Sequence, residues 1–204
     1  MKKLKIDVVS DVICPWCYLG KRRLELALEQ LEGQISADIA WHPFQLQPDV
    51  PAEGLDSFEH LAGKLGGPDA VRQAHQRLTA LGAEIGLTYD FAKARILPNT
   101  FDAHRLIHWA GQEGLDVQNR LVDLLFKGNF EDGLDLGKKD VLVRLAREAG
   151  MDGEVVARLL ESDADARETR DEIAGMQKMG VTGVPFFIFE NSYAVSGAQA
   201  VDAF

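Results

Sequence analysis

The sequence predicts an α/β fold in which the two halves of one sheet are separated by a large all-helical insertion. Three observations support this prediction. A strand, a helix and a second strand follow one another in the first 45 residues, the pattern from about residue 56 to residue 179 is helical almost throughout, and a pair of short apolar strands follows. We therefore expect a sheet domain made of residues 1–50 and 180–204 and a helical subdomain made of residues 51–179.

The first half of the sheet is predicted to be a βαβ unit. Residues 4–9 favour a strand because β-branched side chains are frequent there. The next helix carries apolar residues at helical spacing and is expected to stop near Gly33. Residues 35–41 alternate as a second strand does, and the prolines from Pro43 to Pro51 predict an extended linker. The residues at helical spacing are Leu24, Ala27, Leu28 and Leu31.

Within the insertion, a helix is predicted from Asp69 through Leu81, after a break at residues 66–68, whereas residues 87–98 look irregular. Asn99 resembles a helix N-cap because Asp102 follows it three residues later. Further helical patterns cover residues 117–126, 139–149, 154–160 and 165–179.

The last section is predicted to be a hairpin followed by a helix. The apolar run 186–189 reads as a buried strand, with Pro185 at its start, where a proline is tolerated. Residues 193–196 give a partner strand across a short turn. A final helix is expected to begin at Ala198.

Composition excludes several classes of function. The 204 residues are 46% hydrophobic and 26% charged, as in ordinary globular proteins. A formal charge of −10 argues against general nucleic-acid binding, which needs a basic surface. No stretch has the apolar length of a membrane span, and the N-terminal segment is interrupted by Asp7, Ser10 and Asp11, unlike a signal peptide. We therefore expect a cytoplasmic protein that binds neither nucleic acid nor membrane.

The motif Cys14-Pro15-Trp16-Cys17 stands at the predicted junction of the first strand and helix. Free backbone N–H groups and the helix dipole favour a thiolate at Cys14, and Pro15 fits the first helical turn. We expect Cys14 to be exposed and easily ionised and Cys17, nearly one turn further on, to be shielded. This asymmetry is typical of thiol–disulfide exchange, in which one sulfur attacks a disulfide and the other resolves the mixed disulfide.

A zinc site is the main alternative interpretation of two cysteines at this spacing. The chain has only two cysteines, so further ligands would have to be histidines, and no histidine pair has zinc-finger spacing after the motif. His104 and His108 could share a helix face, although a polar face or a core histidine is a commoner reason for such a pair. In the cytosol a dithiol is normally kept reduced, so this motif points to catalysis or sensing and not to a structural disulfide bridge. We therefore expect no metal at the motif.

The dithiol motif with residues 10–13, the later run Gly183-Val184-Pro185 and the helices between them resemble the DsbA family of thioredoxin-fold proteins. Within that family the sequence is similar to the cytoplasmic FrnE-like dithiol–disulfide isomerases associated with polyketide biosynthesis, a pattern that residues 43–44 and 99–105 also match. The resemblance covers nearly the whole chain. It implies a thioredoxin fold with a DsbA-like helical insertion and a thiol–disulfide oxidoreductase or isomerase.

The resemblance also implies the class of partner. The substrate would be a disulfide-containing protein or a small-molecule thiol, and glutathione or a thioredoxin system would supply electrons. No metal or organic cofactor is required for this exchange.

The resemblance also implies supporting residues around the dithiol. The Val184–Pro185 bond would be cis and lie beside Cys14, so that the Val184 backbone could pair with an extended substrate. Pro15 and Trp16 would complete this part of the site. The helical insertion would cover the site, and Phe44 and His104 are candidate residues for the wall of the cleft.

One departure from the thioredoxin pattern concerns the proton acceptor for Cys17. Thioredoxin-like enzymes often carry an acidic residue six positions before the first cysteine, where this chain has Val8. Asp11, on the loop before the dithiol, is a candidate proton relay, although we expect it to be solvated. The dipeptide between the cysteines also lacks histidine, which predicts a less acidic Cys14 and a less oxidising couple.

Two other functions stay open. Hydroxychromene carboxylate isomerases and kappa glutathione transferases share this fold and would make the protein a glutathione-dependent isomerase or transferase. They use serine in place of Cys14, so a complete Cys-x-x-Cys motif counts against this alternative. The third possibility is a metal-binding or redox-sensing module that uses Cys14 and Cys17 as ligands.

Overall fold

The structure, a computed structural model, describes residues 2–204. The strands in that range are β1 (Lys2–Ser10), β2 (Ile35–Pro43), β3 (Leu55–Asp56), β4 (Ile96–Leu97), β5 (Phe186–Phe189) and β6 (Tyr193–Ser196). Four of these strands form one sheet in the order β2–β1–β5–β6, and β3 and β4 form a separate two-stranded ladder. The helices are α1 (Pro15–Gln30), α2 (Ser57–Leu65), α3 (Pro68–Ala83), α4 (Phe101–Glu113), α5 (Leu115–Lys127), α6 (Lys139–Ala149), α7 (Gly153–Leu160) and α8 (Ala166–Lys178).

Strand β1 lies in the centre of the sheet, and its last five residues are all buried. It pairs in parallel with β2, where Ile6 faces Ile39, and antiparallel with β5, where Val8 faces Phe187. Residues 4–8 alternate between apolar and polar, and the polar Asp7 is nevertheless buried because it contacts Lys5 and His42. The predicted βαβ unit, C-terminal hairpin and α/β fold class are confirmed.

The predicted helices are present with small shifts at their ends. Helix α2, at Ser57–Leu65, lies in the region predicted to be helical before the break at residues 66–68. The structure adds the ladder between β3 and β4, whose two-residue strands are too short to produce a readable period. Helix α5 continues into a π-helical turn at Gly128–Asp132. The helix predicted to begin at Ala198 is wrong, because the chain bends there and forms only a 3₁₀ turn at Val201–Ala203.

One apolar core joins the sheet to the helices of the insertion. Ile6 and Val8 of β1 belong to the same buried cluster as Leu106 of α4 and Leu125 of α5, and both cysteines belong to it as well. The division of the chain into residues 1–50 with 180–204 and residues 51–179 stays a prediction. None of the helices formed by residues 2–204 combines the length and the apolar character needed to cross a bilayer.

A polar contact links the sheet to α8. His42 of β2 lies 2.9 Å through Nε2 from Asp7 Oδ1 on β1 and 2.7 Å through Nδ1 from Glu172 Oε1. Burial alone would lower the pKa of His42, but hydrogen bonds and charge from Glu172 and Asp7 outweigh it and raise the pKa above its usual value. Both ring nitrogens face carboxylates, so the doubly protonated imidazolium satisfies both contacts.

The His42→Gln variant is expected to lose about 2 kcal/mol of unfolding free energy in mildly acidic solution, because glutamine cannot supply the positive charge that lies between the two carboxylates. A histidine whose pKa is raised on folding stabilises the fold fully below its unfolded pKa of about 6.5, and this stabilisation disappears as the pH rises through the folded pKa. Denaturant unfolding of both proteins across this pH range measures the difference. A difference that grows with rising pH would contradict the assignment.

Candidate active site

Cys14 occupies the N-cap position of α1, directly after β1 and its short loop. Its backbone is extended, with φ −90° and ψ 108°, and Pro15 is the first helical residue, as predicted. The Cys14 carbonyl accepts a hydrogen bond of 3.0 Å from the Cys17 N–H, which closes the first turn. The strand-to-helix junction therefore sets the two cysteines on one face of the turn.

The two cysteines are free, and their thiols lie 3.3 Å apart, farther than the roughly 2.0 Å of a disulfide bond. Cys17 is 1% exposed, which confirms that it is shielded. Cys14 is only 4% exposed, so the prediction of an exposed Cys14 was wrong. The loop containing Val184 and side chains from the insertion close over Cys14, contacts that a local sequence pattern cannot show.

The two thiols have different surroundings. Burial raises the pKa of the Cys17 thiol well above its usual value, and the adjacent Cys14 sulfur raises it further. The polar backbone of Asp11 lowers the pKa of Cys17 and so opposes this change, whereas the negative charge of Asp11 adds to it. Cys17 is therefore a thiol at neutral pH, and it must give up a proton before it can attack.

The Val184–Pro185 peptide bond is cis, as the family resemblance implied. The Val184 carbonyl oxygen lies 3.6 Å from Cys14 Sγ and accepts a hydrogen bond from the thiol. On the other side of this loop, a Cβ atom at Gly20 of α1 would lie 3.1 Å from both Pro185 and Phe187. Glycine at this position lets α1 lie close against β5, which brings the dithiol to the loop.

Asp11 is fully buried, so the prediction that it is solvated was wrong. Its Oδ2 accepts a hydrogen bond of 2.8 Å from the Leu46 N–H, and its Oδ1 lies 3.2 Å from Nε2 of His104 in α4. The Asp11 carbonyl accepts a hydrogen bond from the Cys14 N–H at 3.0 Å. The carboxylate is thus fixed next to the backbone that carries the dithiol.

His104 is 1% exposed, and within residues 2–204 its Nδ1 has no hydrogen-bond partner. Phe44 packs in a small apolar cluster with Val9 and Val181. Neither His104 nor Phe44 is among the described residues that line the cavity beside Cys14. His104 instead contacts the carboxylate of Asp11.

The motif loop is held by two residues that the sequence analysis did not single out. The Tyr89 hydroxyl donates a 2.6 Å hydrogen bond to the Pro15 carbonyl, and Asn129 Nδ2 donates one of 3.2 Å to the Val12 carbonyl. Tyr89 lies in the segment that looked irregular, and Asn129 lies in the π-helical turn. No spacing rule connects either residue to the motif, so only the fold reveals them.

A cavity of about 240 Å³ opens against Cys14, Pro15 and Trp16. Its opposite walls come from α2, α3 and the segment that leads into β4. The Arg77 guanidinium stacks on the Trp16 ring at 5.5 Å and covers one side of it. Among residues 2–204, no three His, Cys, Asp or Glu side chains form a group that could hold a metal ion.

Comparison with known proteins gives a family and a fold. Residues 5–204 match the DSBA-like thioredoxin domain. The chain is 26% identical over 202 residues to the uncharacterised protein YwbO of Bacillus subtilis (strain 168), a match that covers 98% of this chain and 92% of that protein.

Two solved structures are similar over most of their length. A probable DsbA oxidoreductase from Streptomyces coelicolor has a TM-score of 0.87 and 33% identity, with 98% of this chain and 86% of that chain covered. The cytosolic disulfide reductase DsbM from Pseudomonas aeruginosa has a TM-score of 0.66 and 18% identity, with 94% and 89% covered, and shares the fold.

Proposed function

The chain belongs to the DSBA-like thioredoxin family, and from that premise we propose that it is a thiol–disulfide oxidoreductase that works through Cys14 and Cys17. The observation that carries the proposal is a pair of free thiols 3.3 Å apart at the start of α1, one at the N-cap and one buried a turn later. This arrangement suits one sulfur for attack and the other for resolution.

In the first step, the Cys14 thiolate attacks one sulfur of a substrate disulfide. A bond forms between Cys14 Sγ and that sulfur, the substrate S–S bond breaks, and the second substrate sulfur leaves as a thiolate that takes a proton from water. Cys14 stands at the N-cap of α1, and the positive end of the helix dipole favours the thiolate there. Pro15 and Trp16 shape the approach to this sulfur, and Pro185 holds the loop across from it.

In the second step, Cys17 loses its proton and attacks Cys14 Sγ. The internal disulfide forms, the bond from Cys14 to the substrate breaks, and the second substrate thiol leaves. The substrate gains two electrons and two protons, and the dithiol loses them. In isomerisation, a thiol of the substrate attacks the mixed disulfide before Cys17 does, and no net electron transfer occurs.

We assign Asp11 as the acceptor of the Cys17 proton, with His104 as the residue that positions it. The raised pKa of Cys17 creates the need for a base, and the buried carboxylate is near enough for its charge to act on that thiol. His104 and the Leu46 N–H hold the two carboxylate oxygens in place. A water molecule between Asp11 and Cys17 would carry the proton.

The Val184 carbonyl is proposed to accept a backbone N–H of an extended substrate, once the Cys14 thiol proton has left. Glutathione or a dithiol protein of the thioredoxin type would return two electrons to the internal disulfide. A cytoplasmic setting is part of the proposal, because a motif without histidine between its cysteines is expected to be a weak oxidant. The chemistry requires no metal or organic cofactor.

A redox equilibrium tests the proposal. Protein is equilibrated in buffers with different ratios of reduced to oxidised dithiothreitol, and the exchange is stopped with acid. The free thiols are then alkylated in denaturant at neutral pH, and intact masses are recorded. We expect only two forms, the dithiol and the internal disulfide, whose ratio changes tenfold for about every 30 mV, as a two-electron couple requires. A protein that forms no internal disulfide at any ratio would refute it.

A further inference from the structure

The cavity beside Cys14 has the volume of a small organic group. An apolar cavity of about 150 Å³ in another protein holds benzene, and this one measures about 240 Å³. The space therefore accepts an aromatic ring together with a methylene and a sulfur atom. Cys14 forms part of its wall, so a sulfur attached to such a group would lie against the nucleophile.

The lining of the cavity is mostly apolar, and its polar members are Gln47, Ser57, His60, His75 and Asn129. Its walls include Leu61, Leu78, Phe91 and Phe130, and none of the residues from the described part of the chain that line it is Lys, Arg, Asp or Glu. His75 stacks on Phe91 with ring centroids 3.9 Å apart, and burial lowers the pKa of His75, so this wall is a neutral aromatic surface at pH 7. A charged ligand would therefore meet no Lys, Arg, Asp or Glu side chain in this lining.

The mouth of the cavity is also apolar. Leu46 is 37% exposed, Leu65 is 49% exposed and Ile96 is 41% exposed, and all three line the cavity. Large apolar side chains that are exposed together often mark a binding site. Two cations that are not part of the lining contact lining residues: Lys64 donates to Gln47, and Arg77 covers one side of Trp16.

The position of Cys14 limits what can reach it. Cys14 is 4% exposed and is covered by the Val184 loop and by side chains of the insertion. A small disulfide that enters through the apolar mouth therefore reaches Cys14 more readily than a disulfide fixed on the surface of a folded protein.

We propose that this cavity binds the aryl or alkyl substituent of a small organic disulfide and that such disulfides are preferred substrates. The inference rests on the proposed function and names its substrate class. Cys14 attacks the sulfur that carries the bound group, the other half leaves as a thiolate, and Cys17 then releases the first half as a thiol. The reaction oxidises the dithiol to its disulfide, and an external thiol such as glutathione reduces it again.

An asymmetric substrate tests this directly. The Cys17→Ser variant cannot resolve the mixed disulfide, so benzyl 2-hydroxyethyl disulfide leaves either a benzylthio or a hydroxyethylthio adduct, which differ in mass. We expect the benzylthio adduct to exceed the other by about tenfold, relative to the ratio formed on a simple thiol in solution, because the ring is buried. A ratio equal to that of the simple thiol would overturn the inference.

Variants on α3 supply matched controls in the Cys17→Ser background. Ala74 lines the cavity, so Ala74→Phe fills it and should return the adduct ratio to that of the simple thiol. Ala80 is exposed on the same helix, and Ala80→Phe should keep the preference. If Ala74→Phe does not fold, Leu65→Gln at the exposed mouth should reduce the preference severalfold. Unchanged preference in a folded Ala74→Phe protein would overturn the inference.

A competition separates this inference from the function on which it rests. Faster adduct formation with glutathione disulfide or a model protein disulfide than with the benzyl compound would overturn the substrate class and leave the oxidoreductase intact. The absence of any adduct with every disulfide would overturn the oxidoreductase and the substrate class together.

Discussion

In the Cys14→Ser variant, the rate of disulfide reduction is expected to fall about a thousandfold or more. The serine hydroxyl is not ionised and forms no mixed disulfide. The remaining Cys17 is buried and carries a raised pKa, so it does not replace the missing nucleophile. Reduction of a model disulfide with dithiothreitol as recycling thiol measures the loss. Full activity in Cys14→Ser would remove the proposed function.

Cys17→Ser is the matched control for that variant. It keeps the nucleophile and loses the resolving thiol, so it should form stable mixed disulfides in place of turning over. Intact mass spectrometry distinguishes the two variants, since only Cys17→Ser gains the mass of one substrate half. Both substitutions exchange a buried sulfur for an oxygen, and an unchanged circular dichroism spectrum shows that each variant has folded.

Asp11→Asn is expected to slow resolution of the mixed disulfide by about a hundredfold at neutral pH, which is typical of removing a general base. In the variant, only Cys17 that has ionised unaided can attack. The resolution rate should therefore rise about tenfold for each unit of pH up to the raised pKa of Cys17. The parent protein should show a flatter profile. Rapid-quench measurement of the mixed disulfide gives both profiles.

The sign of this effect separates a proton acceptor from a mere charge. The Asp11 charge raises the pKa of Cys17, so removing it would lower that pKa and speed resolution if charge were its only role. Faster resolution in Asp11→Asn would therefore refute the assignment. Asp7→Asn is the matched control, because Asp7 is a buried acid that contacts His42 and Lys5 away from the dithiol. It should leave resolution unchanged.

The parts of the fold that could be predicted depend on local order in the sequence. Strand β1, helix α1 with Pro15 in its first turn and the β5–β6 hairpin each follow from residue type and spacing within a short window. Helix α6 has the predicted bounds because its apolar residues recur at helical spacing between a lysine and a glycine. The close approach of Cys14 to Cys17 is likewise set within one turn.

The parts that were missed depend on contacts between distant segments. The side chain of Asp11 is buried because residues 46 and 104 reach it, and 93 positions separate it from His104. Cys14 is covered by Val184, which is 170 positions away. Tyr89 and Asn129 hold the motif loop by the same kind of contact. A solvated Asp11 and an exposed Cys14 are reasonable for an isolated loop, and both are wrong once the insertion packs on it.

Both cysteines belong to the main apolar core, so oxidation of the pair changes contacts in the interior of the protein. Folding and oxidation then form a closed thermodynamic cycle. Any difference in unfolding free energy between the two oxidation states must reappear as a displacement of the reduction potential from that of the unfolded chain, at about 30 mV for each 1.4 kcal/mol. Calorimetric unfolding of the two forms therefore gives the reduction potential of the pair relative to that of the unfolded chain.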